Sequence, residues 1–386
     1  MSTKTTYIQT ELGLIPEDWE VKKLGEVIKL GNGKDYKHLN SGNIPVYGTG
    51  GIITYVDKYL FNGKSVGIGR KGSIDKPVLL DGKFWTVDTL FYVKEFFNSD
   101  IDFIYNSFLK IPWLKYNEAT GLPSLSQNII NNLKIPLPPL PEQKKIADCL
   151  STWDCAIEKQ SQLINALTQR KKALMQQLLT GKKRLPGFSG EWKEISLIEL
   201  ADFRRGSFPQ PYGLPEWYDN ENGEPFIQVY DVGDNFNLKP TTKSKISELA
   251  QVQSVFIKKG TLIVTLQGSI GKVAITNYDA YIDRTLLLFS SFKMKVDIYF
   301  IMYQIHNLFN IEKEKAPGGI IKTITKEVLS NFKIKLPSFE EQTAIAEILA
   351  TADRELQLQK EKLAQLQTQK KGLMQVLLTG KKRLIN

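Results

Sequence analysis

Cysteine and histidine are almost missing: the 386 residues hold two of each, Cys149 and Cys155, His38 and His306. The cysteines stand six apart within one helical pattern and point to different faces, which argues against a disulfide and leaves them as small buried hydrophobes. Four residues so placed offer no zinc constellation, and no metal site is expected. No apolar run approaches the roughly 20 residues that span a bilayer, and the opening MSTKTTYIQTELG lacks the apolar core of a signal peptide. The expected location is the cytoplasm.

Catalytic signatures are also scarce. No GxSxG elbow presents a nucleophilic serine, and no DPPY or NPPF quartet of the amino-methyltransferase kind occurs. GIGRKG at 67–72 has dinucleotide-loop spacing, but the strand-like SIDKPVLL follows where a helix is required, so these read as hairpin glycines. NGKS at 62–65 resembles the end of a phosphate loop, yet Lys58 stands where the first glycine belongs. Glu-x-Lys pairs such as Glu20 to Lys22 and Glu191 to Lys193 are too common to argue for a nuclease. No catalytic residue is expected in this chain.

Acidic residues are in deficit, 41 against 51 Lys and Arg, a net charge of +10. That balance favours a polyanionic partner, nucleic acid first, although a merely basic soluble protein has the same charge. The length calls for two or more domains, and 42% apolar with 24% charged residues is the composition of a folded chain.

What the chain does have is a repeat. LLTGKKRL occurs at 178–185 and again at 377–384. Extended backwards, the match runs without a gap from Pro138 and Pro337 at an offset of 199, with about half the positions identical. A weaker echo precedes each copy, IPEDWEVKKLGEV around Trp19 and GFSGEWKEISLIEL around Trp192. Between echo and helix the two halves share little beyond GSI triplets at Gly72 and Gly268, each followed by an acidic residue before an apolar run, Asp88 and Asp283. The order is variable, helical, variable, helical: residues 1–136, 137–185, 186–335 and 336–386.

In the first helical unit Ile146, Leu150, Trp153, Ile157, Gln160, Ile164, Leu167, Lys171, Leu174 and Leu178 follow alternating steps of four and three, the seam of a coiled coil. The second places Ile345, Leu349, Ala352, Leu356, Gln359, Leu363, Leu366, Lys370, Leu373 and Leu377 at the same phase. Each helix starts after a proline-rich segment, from Glu142 in the first copy, and stops at a TGKK whose glycine, Gly181 or Gly380, suits the left-handed cap. Buried glutamines fix register, so Gln160 is expected to face Gln359. Parallel pairing would oppose Lys171 and Lys370, whereas antiparallel pairing sends them towards Glu347 and Asp148, so an antiparallel pair is predicted. The basic end of the octapeptide complements the helix macrodipole.

The variable segments carry short β-branched and aromatic runs punctuated by glycine, with helices suggested at 102–109 and 298–309. They read as small mixed α/β domains, which makes the fold class α+β. Their loops mix basic, amide and aromatic residues, able to contact phosphates and base edges.

Together the opening TELGLIPEDWEVKKLGEV, the segments IPLPPLPEQKKIA and LPSFEEQTAIA, and LMQQLLTGKKRL with LMQVLLTGKKRL carry a likeness over both halves. The chain resembles the specificity subunit of type I restriction-modification systems. The resemblance implies two target recognition domains, each reading half of a split, asymmetric site in double-stranded DNA, and helices that pack antiparallel with pseudo-twofold symmetry and set the spacing. It also implies modification subunits carrying S-adenosylmethionine and adenine methylation, and restriction subunits using ATP and Mg, with no cofactor on this chain. Candidate DNA contacts are Lys34, Tyr47, Arg70, Lys71, Ser73 and Ser124 in the first domain. In the second they are Arg204, Arg205, Gln228, Tyr230, Thr265, Gln267, Ser269 and Lys322. The competing readings are a self-contained DNA methyltransferase or nuclease and a coiled-coil scaffold without sequence specificity.

Overall fold

The computed structural model describes residues 6–315 and 329–385. The chain divides into two compact units, Met1–Gln162 with Glu361–Asn386, and Leu163–Lys360. Each contains one variable segment and parts of both long helices. Residues 136 and 335 fall within short strands, Lys134–Leu137 and Lys333–Leu336, that pair antiparallel with Glu20–Lys23 and Lys193–Ser196.

One sheet plan is built twice. In the first unit an antiparallel sheet runs in the order Ile28–Asn32, Leu90–Phe96, Ser65–Gly69, Val78–Leu80; in the second the order is Ala201–Arg205, Leu286–Phe292, Leu262–Thr265, Val273–Ile275. The third strand of each, SVGIG or LIVT, is buried along its whole length, which is why it reads as continuous rather than alternating. A second sheet also recurs, and in both units two inner strands run parallel: Trp85 and Thr86 beside Val46 and Tyr47, and Phe226 and Ile227 beside Tyr281 and Ile282.

Helices Ile101–Lys110 and Ile298–Lys315 start at aspartates that accept N-terminal amides, Asp100 from Phe103 and Asp297 from Phe300. Their inward residues join the ends of the long helices in one core per unit. In the first unit Phe103 and Phe108, with Trp113 just beyond the helix, lie in one cluster with Trp19, Ile146, Leu150 and Leu377; in the second Phe300, Tyr303 and Phe309 do so with Leu178, Ile345 and Leu349. None of the described helices is long and apolar enough to cross a membrane.

The long helices, Leu140–Leu178 and Phe339–Leu377, contain 39 residues each, about 58 Å at 1.5 Å per residue. The first begins two residues before Glu142. Every seam position named above is buried or half-buried, including Trp153, Ile157, Gln160, Leu167, Leu174, Leu356, Gln359, Leu363, Leu366 and Leu373.

The pairing is antiparallel within each unit. In the second unit Lys171 meets Asp353 and Arg170 lies 3.8 Å from Glu355, so the end of one helix lies beside the start of the other; in the first unit Lys370 and Asp154 are 2.5 Å apart. The carboxylates are thus Asp353 and Asp154, six positions beyond the expected Glu347 and Asp148. The heptad phase defines a helix face, but not where along that face the partner stops.

Both helices end on a left-handed glycine, Gly181 at φ +71° and Gly380 at φ +70°. The amides of Lys183 and Lys382 fold back onto the carbonyls of Gln177 and Val376. The cysteines differ from expectation: Cys149 is half-buried and Cys155 exposed, because Cys155 lies between seam positions Trp153 and Ile157 on the outer face.

The arginine of each octapeptide does more than complement a helix end. Arg383 forms two hydrogen bonds to Glu142, at 2.8 and 2.7 Å, and two to Asp18. The Trp19 indole also donates to Glu142, at 3.0 Å. Hydrogen bonding, to Glu142 first, drives the pKa of Arg383 up against the effect of burial. In the second unit Arg184 grips Glu341 at 2.8 and 2.7 Å and Trp192 donates to the same carboxylate. There a backbone carbonyl, that of Gly190, takes the remaining guanidinium bond. The repeated GKKRL therefore ties the end of one long helix to the first turn of the other.

Candidate nucleic-acid interface

In the first unit, strand Ser65–Gly69 emerges into a loop fixed on both sides by its backbone. The amides of Arg70 and Lys71 donate to the Thr89 carbonyl, Leu125 donates to the Arg70 carbonyl, and Gly72 donates to Pro123. Lys71 also faces Ser124 in an isolated antiparallel bridge. At Gly69 a Cβ would come within 2.4 Å of the Ser73 carbonyl oxygen, so the turn requires glycine.

With the backbone held, the side chains of Arg70 and Lys71 are exposed. They open onto a cleft of about 500 Å³ lined also by Asn32, Ser124, Ser126 and Gln127, with Phe91 among its walls. The Gln127 side-chain nitrogen donates to the Asn32 side-chain oxygen Oδ1 at 2.9 Å, linking the two amides. Cations for phosphate and amides for base edges thus share one concavity. Asn32 and Gln127 escaped the sequence reading; the polar ends of SLSQN and LGN were their only signal.

The other first-unit candidates lie apart. Ser73 is half-buried within the turn and Lys34 is exposed at the end of a strand whose next glycine, Gly33, has no room for a side chain. Tyr47 packs edge-on against Phe84, at 6.3 Å between ring centres, in an aromatic cluster with Tyr92.

The equivalent turn of the second unit places Gln267 and Ser269 on the surface. Thr265 is fully buried; its hydroxyl donates to the Ser269 carbonyl at 2.5 Å and accepts from the Lys272 amide, closing the loop. Arg204 and Arg205 are exposed at a strand end. Lys322 lies outside the described residues.

Gln228 and Tyr230 belong to a denser arrangement. Asp283, 1% exposed, accepts from the Tyr212 hydroxyl at 3.0 Å and from the amide and hydroxyl of Thr285. The Gln228 amide nitrogen donates to the Tyr212 oxygen at 2.5 Å, and Tyr230 donates to the Gln228 amide oxygen. Below them buried Asp231 accepts from the backbone amides of Gln228 and Lys243, both at 2.9 Å. Burial raises the pKa of Asp231 while those two bonds oppose the shift.

Burial, then the charge of Asp283, pushes the Tyr212 pKa up, and burial does the same for Tyr230, so both hydroxyls keep their donor protons at neutral pH. Two cations flank the group. Exposed Arg284 lies 5.5 Å from the Tyr212 ring centre and Lys243 lies 5.0 Å from that of Tyr230.

The acidic residues that follow the two GSI triplets, Asp88 and Asp283, hold different places in the repeated frame. Leu90 donates to Val87 as Leu286 donates to Asp283. Asp283 therefore corresponds to Val87, and Asp88 to Arg284.

Comparison with known proteins gives a consistent result. A family model described as "Type I restriction modification DNA specificity domain" matches residues 16–169 and 189–368. The type I restriction enzyme MjaVIII specificity subunit of Methanocaldococcus jannaschii is 29% identical over 420 residues, covering 96% of this chain and 95% of that protein. A putative MjaX specificity subunit of the same organism is 27% identical, over 97% and 96% of the two chains. Among solved structures, the type I restriction-modification S subunit of M. genitalium superposes with a TM-score of 0.59 at 16% identity, covering 93% of this chain and 96% of that one. A chain from work on complex assembly and conformational transition of a type I system gives 0.60 at 20% identity, with 95% and 99% covered.

Proposed function

The chain belongs to the type I restriction-modification DNA specificity family, and on that premise we propose that it reads a bipartite, asymmetric DNA site, one half with each unit. It is a specificity subunit, a component without catalysis of its own that works with DNA and other subunits. The observation that carries the two-part reading is the contrast between a repeated frame and unlike exposed loops: cations and amides around Arg70 and Lys71 in one unit, the Gln228 group with Arg284 and Lys243 in the other.

Two modification subunits supply S-adenosylmethionine and methylate adenine, and restriction subunits supply ATP- and Mg-dependent cleavage, all in the cytoplasm. The long antiparallel helices serve as the spacer between the two reading units.

The test exchanges residues 187–335 for the corresponding segment of a relative and maps methylated adenines in cells that also express the modification subunit. One half of the methylated sequence is expected to change. Change in both halves, or in neither, would overturn the reading.

A further inference from the structure

We propose that Gln228 reads an adenine in the half-site addressed by the second unit, with Tyr212 and Asp283 as positioning residues that decide which end of its amide donates. This rests on the DNA-reading function above and adds to it a base and a means of choosing it.

An unrestrained glutamine turns its amide over at little cost and presents donor and acceptor in either order. Here the order is set from below. Asp283 takes the single proton of the Tyr212 hydroxyl while also accepting from Thr285. The Tyr212 oxygen is then left to accept, and it accepts from the Gln228 nitrogen at 2.5 Å. Tyr230, whose hydroxyl donates, holds the amide oxygen at the other end. Each end of the amide retains one further position, an N–H and a lone pair, on a half-buried side chain between exposed Tyr212 and Tyr230.

That fixed pair matches the N7 acceptor and N6 donor on the major-groove edge of adenine. Guanine would set its O6 against the amide oxygen, and reversing the amide would break the Tyr212 bond, because that hydroxyl's one proton is already given to Asp283. Arg284 and Lys243, on either side, are placed for the backbone phosphates that bring the base into register. Asp231 fixes the main chain of Gln228 and of Lys243 together, so reader and cation move as one body. The first unit has Val87 and Asp88 where the second has Asp283 and Arg284, so the device is confined to one half-site.

The experiment uses the full chain assembled with its modification subunits and the site located by methylation mapping, with the second unit's half assigned by the segment exchange. Binding is measured on duplexes carrying 7-deazaadenine at each adenine of that half in turn. One position is expected to lose about tenfold or more in Kd, and the penalty should vanish in Gln228→Ala. Tyr212→Phe and Asp283→Asn should lower discrimination between adenine and guanine at that position alone; a merely structural role would weaken every position alike. No 7-deaza penalty anywhere in the half-site, or one that persists in Gln228→Ala, overturns the assignment of Gln228 and leaves half-site reading intact. A segment exchange that moves neither half of the methylated sequence overturns the function on which it rests.

Discussion

Strands Ser65–Gly69 and Leu262–Thr265 hold the same place in their sheets, yet the turns leaving them present different chemistry. Arg70 and Leu266 both donate their amides to a threonine carbonyl, of Thr89 and Thr285. One side chain is an exposed cation and the other is buried. The next positions are Lys71 and Gln267, and both turns then pass through a left-handed glycine, Gly72 or Gly268. In the second unit a positive charge appears elsewhere, at Arg284, where the first has Asp88. Backbone bonds hold the turn, so side chains are free to redistribute charge without altering the fold.

The latches repeat more closely and allow a sharper test. Replacing Arg383 by Met strands Glu142, 4% exposed, and should cost about 3–5 kcal/mol. Arg184→Met should cost less, because Arg184 binds one carboxylate, Glu341, where the more buried Arg383 binds two, Glu142 and Asp18. Denaturant titration followed by hydrogen exchange resolved to each unit measures both losses, and a reversed order would break the comparison.

A smaller difference separates the cap glycines. Gly181→Ala should cost about 1 kcal/mol for its left-handed backbone. In Gly380→Ala the new methyl also comes within 2.3 Å of Pro16, so about 2 kcal/mol or more is expected from thermal or chemical unfolding.

The smallest contrast lies in the helix ion pairs. Asp353 binds Lys171 and also accepts from the Tyr303 hydroxyl at 2.6 Å, whereas Asp154 pairs with Lys370 and has half its side chain exposed. Asp353→Asn should cost about 1 kcal/mol and Asp154→Asn less, measured by the same titration. Equal values would show that the tyrosine adds nothing.

The helical architecture was legible because a seam of alternating four and three steps tolerates few other readings, and because glycine after the last seam residue is a strong stop. The lysine partners were misplaced because heptad phase fixes the contacting face of a helix and not the offset along it, here six positions. The GKKRL latches meanwhile tie each helix end to the opposite helix, a constraint invisible to heptad spacing. Loop residues were harder for a different reason. Thr265 and Ser269 are alike in sequence, but one hydroxyl closes the turn and the other residue is exposed. Tyr47 has the composition of a contact residue and packs against Phe84. Gln228 and Tyr230 were named without their relay, since Asp283 reaches Tyr212 across 71 positions and nothing local announces that bond.

The latch of the first unit also imposes an order of events during synthesis. Glu142 leaves the ribosome 241 residues before Arg383, and Leu377 and Leu378, which belong to the first unit's core, follow the whole of residues 163–360. The second unit's latch spans only 157 residues, both partners lying within its own continuous stretch of chain. The half translated first is therefore the half completed last. Until then its nascent core lacks Leu377 and Leu378, an interval of exposed apolar surface that favours chaperone binding and aggregation in step with slow translation.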